Sequence, residues 1–92
     1  MPHSPAPIPA DQLPPPTPPL PGSLQEAWQD IANRLEQAGD WSALERRTAH
    51  AQGWSAALSQ AQVIDLDTFH ALVRVREDLH ARVTQRLLEA EQ

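Results

Sequence analysis

Pro18-Pro19-Leu20-Pro21-Gly22-Ser23-Leu24-Gln25-Glu26-Ala27-Trp28 is the stretch where the chain changes character. All ten prolines lie at or before Pro21, and only Gly39 and Gly53 interrupt the sequence after Ser23. A proline lacks the backbone donor and clashes with the preceding turn, so no helix propagates through the first segment. Residues 1–22 therefore read as a disordered proline-rich arm, and residues 23–92 as a helical domain. The run Pro14-Pro15-Pro16-Thr17-Pro18-Pro19-Leu20-Pro21 favours polyproline II. Such a segment serves either as a spacer or as a ligand for an aromatic-lined groove. No basic residue follows it until Arg34, so the charged flank that orients groove ligands is missing.

The helical part falls into three elements. Ser23-Leu24-Gln25-Glu26 has the form of a capping box, in which hydroxyl and carboxylate satisfy two free amide donors. Leu24, Trp28, Ile31, Leu35 and Ala38 then recur at helical spacing, which predicts a helix over about 24–38. Gly39 is expected to close it in the left-handed conformation. Asp40 or Ser42 starts the second helix, about 43–62, whose stripe of Leu44, Thr48, Ala51, Trp54 and Leu58 is thin. Gly53 in its middle suggests a kink or a close approach of another backbone. The short connection makes the first two helices antiparallel. Asp65 or Asp67 caps the third helix, about 66–90.

The expected fold is all-α: a small antiparallel unit of a helical hairpin plus a long C-terminal helix. On the third helix Phe69, Val73, Val83 and Leu87 project within about 40° of one direction at 100° per residue, flanked by Leu66, Leu72 and Leu79. Arg76 and His80 fall inside that stripe. They read either as a snorkelling cation and a packed imidazole, or as a polar notch that fixes the register of a partner helix.

Composition excludes several classes of function. There is no cysteine, hence no disulfide framework and no thiolate metal site. The N-terminus has neither the cationic start nor the apolar run of a secretory signal, and no run approaches the ~18 apolar residues of a membrane span. A cytoplasmic location is the expectation. The net charge of −5 argues against a nucleic-acid backbone as partner. His3, His50, His70 and His80 share no i,i+4 pair, and Glu77 with His80 supplies at most two metal ligands. No phosphate-cradling glycine loop and no Gly-x-Ser-x-Gly turn occur. The sequence thus predicts no enzyme, no cofactor and no metal.

Leu24 to Leu44 reads Leu-x-x-x-Trp-x-x-Ile-x-x-x-Leu-x-x-Ala-Gly-Asp-Trp-x-x-Leu. This resembles the opening of the small helical export chaperones of the bacterial flagellum, the FliT-like group. The matching positions are Trp28, Leu35, Ala38, Gly39, Asp40, Trp41 and Leu44, and the likeness beyond them is one of helix order only. The resemblance implies a bacterial cytosolic chaperone or adaptor that binds a flagellar or secretion-system subunit. Independently of it, the amphipathic pattern predicts a protein partner presenting a helix. The expected partner face is Trp54, Leu58, Phe69, Val73, Arg76, His80 and Val83. The alternative is a self-associating oligomerisation module, such as a homodimer, tethered by the proline arm.

Overall fold

A computed structural model describes residues 20–92. Most of the proline-rich arm lies outside these residues. Three helices follow one another: α1 (Gly22–Glu36), α2 (Trp41–Gln60) and α3 (Leu66–Ala90). Among the described residues there is no strand, and each helix packs against both others. The all-α three-helix unit expected from the sequence is present. Trp41 at the start of α2 bonds Glu91 just beyond α3, and Arg86 near the end of α3 bonds carbonyls at the end of α1. Hence α1 and α3 run parallel, and α2 runs against both.

The core is built from Trp28, Ile31, Leu35 and Ala38, from Ala43, Leu44 and Ala51, and from a row on α3. That α3 row is Leu72, Val75, Leu79, Val83 and Leu87. It lies about 60° around the helix from the direction expected, because Leu72, Val75 and Leu79 point inward in place of Phe69 and Val73. Burying each such side chain contributes about 1.5–3 kcal/mol. On α2 most of the buried positions are small, including Ser55, whose hydroxyl returns to the Ala51 carbonyl at 3.0 Å. The single-turn bond satisfies Ser55, the one buried polar residue among the described residues, without a partner helix.

The helix ends depart from expectation in instructive ways. Gly22 has φ +42°, so the chain turns immediately after Pro21 and α1 begins before Ser23 can act as its cap. The Ser23 capping box does not form. Instead the Pro21 carbonyl accepts the Leu24 amide at 2.9 Å, and Gln25 Oε1 accepts the Leu20 amide at 3.2 Å. Leu20, ahead of Ser23, also packs against the core.

Gly39 is not left-handed; α1 leaves through Gln37 at φ −88°. The left-handed exit sits at the end of α2, on Gln62 at φ 59°. There the Gln62 amide reaches the Ser59 carbonyl at 3.1 Å and the Val63 amide reaches Leu58 at 2.9 Å. This is the paired bonding of a Schellman turn with glutamine where glycine is usual.

Gly53 marks no close approach of another backbone and no break in the helix. Helix α2 continues through it, and a Cβ added there would meet nothing within 4 Å.

Asp40 caps α2 by accepting the Ala43 amide at 2.7 Å, and Asp65 caps α3 by accepting the Thr68 amide at 2.7 Å. Hydrogen bonds from the Thr68 side chain and amide hold the Asp65 carboxyl below the ordinary aspartate value of 3.8. A lowered folded-state pKa means that the cap stabilises above the unfolded value and that this is lost as pH falls through the lowered one. A carboxyl NMR titration is expected to give Asp65 a midpoint below 3.8, and Thr68→Val is expected to raise it.

Two further substitutions test the backbone assignments by chemical denaturation. Gly53→Ala is expected to stabilise by about 1 kcal/mol, since alanine fits an open mid-helix position. Gln62→Gly is expected to stabilise by about 0.5–1 kcal/mol by removing a Cβ from the left-handed region. Destabilisation by the first would mean that α2 is bent or covered at Gly53. Destabilisation by the second would mean that Gln62 is not left-handed.

Candidate functional site in the groove between α2 and α3

Helix α2 carries no large apolar side chain at Glu45, Thr48, Ala49 or Gln52, so its packing against α3 leaves a groove along one side. The groove encloses about 610 Å3, with Trp41, Leu44, Thr48 and Gln52 on one wall and His80 and Thr84 on the other. Trp41 stands at the open end, 41% exposed, with its indole N–H donating to the Glu91 carboxylate at 2.5 Å. Leu44 is buried beneath it. An apolar floor, an amphipathic ring and a short polar row therefore share one concave surface.

Two hydroxyls give the groove its chemistry. Thr48 Oγ1 and Thr84 Oγ1 are both shielded from solvent, and neither has a hydrogen-bond partner. A hydroxyl in that state costs about 1–3 kcal/mol relative to a paired one. Arg76 Nε, two turns before Thr84 on α3, is likewise shielded and without a partner. Arg76, His80 and Thr84 thus form an i,i+4,i+8 polar row beside the buried face of α3.

The residues expected to form a partner face are dispersed. Val83 is fully buried in the core, which corrects its assignment to an exposed stripe. The cause is the rotation of α3 described above. Trp54 is half-buried and stacks on Trp28, with ring centroids 5.7 Å apart and planes 24° apart, so it extends the core between α1 and α2. Leu58, Phe69, Val73 and Arg76 are half-buried. Phe69 sits tilted against His70 at 5.9 Å. His80 is exposed and lines the groove.

Of the Gly39-Asp40-Trp41 motif, Gly39 and Asp40 make the joint between α1 and α2, and Trp41 enters the groove. Sequence reading placed Thr48 in an apolar stripe and passed over Thr84. The signal for Thr84 was its place one turn beyond His80.

Among the described residues, no group of three or more His, Cys, Asp or Glu side chains converges on a point that could hold a metal ion. No helix among them is long and apolar enough to cross a membrane. The arrangement offers shape, apolar contact and hydrogen bonding.

Trp28 and Trp41 separate core from groove. Trp28 is 2% exposed, and Trp28→Ala is expected to cost about 3–5 kcal/mol in denaturant unfolding. Trp41→Ala is expected to cost only about 1–2 kcal/mol, because much of the ring already faces water. Equal losses would place Trp41 in the core. No protein-family model, curated protein or solved structure matches the chain.

Proposed function

We propose that this chain is a non-enzymatic helical binding protein that receives an amphipathic helix of a client protein in the α2–α3 groove. The observation that carries the reading is the half-exposed ring of Trp41 beside buried Leu44 on a concave surface that Gln52 and His80 also line. A client helix presents apolar anchors at i, i+4 and i+7 spacing, which suits a groove with an apolar floor and a ring at its mouth. Polar side chains flanking those anchors would reach the exposed Gln52 and His80, and so set register. The Gly39-Asp40-Trp41 resemblance supports a role as a bacterial cytosolic chaperone or adaptor for a flagellar or secretion-system subunit. Binding then keeps the client's apolar face covered until it is handed on.

A second reading is a self-associating module. It draws on Val63 and Leu66, exposed by 49% and 62% at the joint between α2 and α3. That joint lies at the other end of α2 from Trp41, about 30 Å away for a helix of this length. The two surfaces are therefore separable by mutation.

Affinity capture from the native host's lysate with the full chain, beside an Ala49→Glu variant, tests the proposal. Ala49 is exposed on the groove wall, so the charge enters the groove without disturbing the core. A flagellar or secretion-system subunit recovered one-to-one, and bound at least about tenfold more weakly by the variant, is the expected result. Recovery indifferent to Ala49→Glu would overturn the groove as the site. Recovery of the chain alone, with sedimentation that depends on concentration and on Leu66→Glu, would select the self-associating module.

A further inference from the structure

On the other side of α2, between it and α1, lies a smaller hollow of about 290 Å3 lined by Ile31, Arg34, Gln37, Arg46, Arg47 and His50. Three of the seven arginines of a chain with net charge −5 line this one hollow. All three keep guanidinium donors without a partner. Arg34 pairs with Asp30 at 3.1 Å, but both side chains are more than 60% exposed, a setting in which an ion pair contributes little. Arg46 makes only a long 3.4 Å contact from Nε to the Ser42 carbonyl. Arg47 donates one Nη1 bond to the Arg34 carbonyl and keeps its remaining donors. Among the described residues, no carboxylate lies within 4.0 Å of the guanidinium of Arg46 or Arg47.

The helix dipoles do not cancel this charge. The negative end of α1 reaches the hollow, and Arg47, bonded to the Arg34 carbonyl there, offsets it, which leaves the other guanidinium groups to set the potential. Their planar forks match the oxygens of a carboxylate or a phosphate. Ile31, only 7% exposed, gives the hollow an apolar floor that excludes water from beneath a bound group. We infer that the α1–α2 hollow is an oxyanion-binding site, in which the forks of Arg34 and Arg46 grip one carboxylate or phosphate group beside Arg47 and His50. This site is independent of the groove reading: the lining residues of the two share no side chain.

The test is an NMR titration of the full chain with inorganic phosphate and, separately, with N-acetyl-glutamate N-methylamide, at constant ionic strength against chloride. Saturable shifts of the Ile31, Gln37, Arg46, Arg47 and His50 amides are expected. Arg46→Gln and Arg34→Gln are each expected to weaken binding at least about threefold, and the double variant at least about tenfold, as loss of charge-assisted bonds requires. Neither residue makes a contact beyond its own helix turn except through Arg47, so both variants keep the fold, checked by circular dichroism. Arg74→Gln, exposed on α3 away from the hollow, is expected to change nothing. Tighter binding of phosphate would identify a free phosphate or phosphoryl group as the ligand, and tighter binding of the glutamate probe a polypeptide carboxylate. Non-saturating shifts, equal shifts with chloride, or a response to Arg74→Gln as large as to Arg46→Gln would show an adventitious ion only and overturn the inference.

Discussion

The last turn of α1 ends in four carbonyls that a helix cannot satisfy with its own continuing ladder, and the rest of the molecule is arranged around satisfying them. The Gln37 amide takes Asn33, and the Ala38 amide takes Leu35. Arg47 reaches across from α2 to Arg34, and Arg86 reaches from α3 to Glu36 and on to Ala38. The cap is thus tertiary: each of the other two helices contributes a guanidinium to the end of the first. A positive charge there also complements the negative end of the α1 dipole. Because Arg86 binds two carbonyls with one fork, it fixes direction as well as distance, which a lysine ammonium would not.

That shared end determines where the two concave surfaces lie. With the C-terminal parts of α1 and α3 tied together, the start of α2 is held between them, and the Trp41–Glu91 bond closes the same end from the other side. At 100° per residue, Trp41, Glu45, Thr48 and Gln52 project to one side of α2, and Arg46, Arg47 and His50 project about 180° away. Leu44, Ala51 and Ser55 lie between them and face the core. Groove and hollow are therefore the two flanks of a single thin helix.

The sequence was most legible where one physical rule dominated. The α1 stripe of Trp28, Ile31, Leu35 and Ala38 is buried as its spacing requires, and Asp40 and Asp65 cap the helices they precede. It was least legible where two local solutions compete. A glycine after a helix suggests a left-handed exit, yet at Gly39 two arginines from distant positions already satisfy the carbonyls, so the left-handed residue is not required there. Among the described residues no side-chain donor reaches the end of α2, and Gln62 adopts the left-handed region at a cost of about 1–2 kcal/mol to supply the Schellman bonds. The rotation of α3 has a related cause. Two apolar rows, Phe69-Val73 and Leu72-Val75-Leu79, lie side by side on that helix. Only the packing of α1 and α2 chooses which one turns inward.

The poverty of α2 as a core helix explains why this element hosts the candidate site. Its buried positions are mostly alanine and serine, and the large apolar volume of the core comes from Trp28 and Leu35 on one side and from Leu72 and Val83 on the other. A helix with larger inward residues would need flanking apolar side chains to complete its packing, and these would fill both concavities. Small inward residues leave the flanks free for threonine, glutamine, histidine and arginine. The partnerless hydroxyls of Thr48 and Thr84 are costly under any purely structural account, since valine has nearly the same shape and no polar atom to bury.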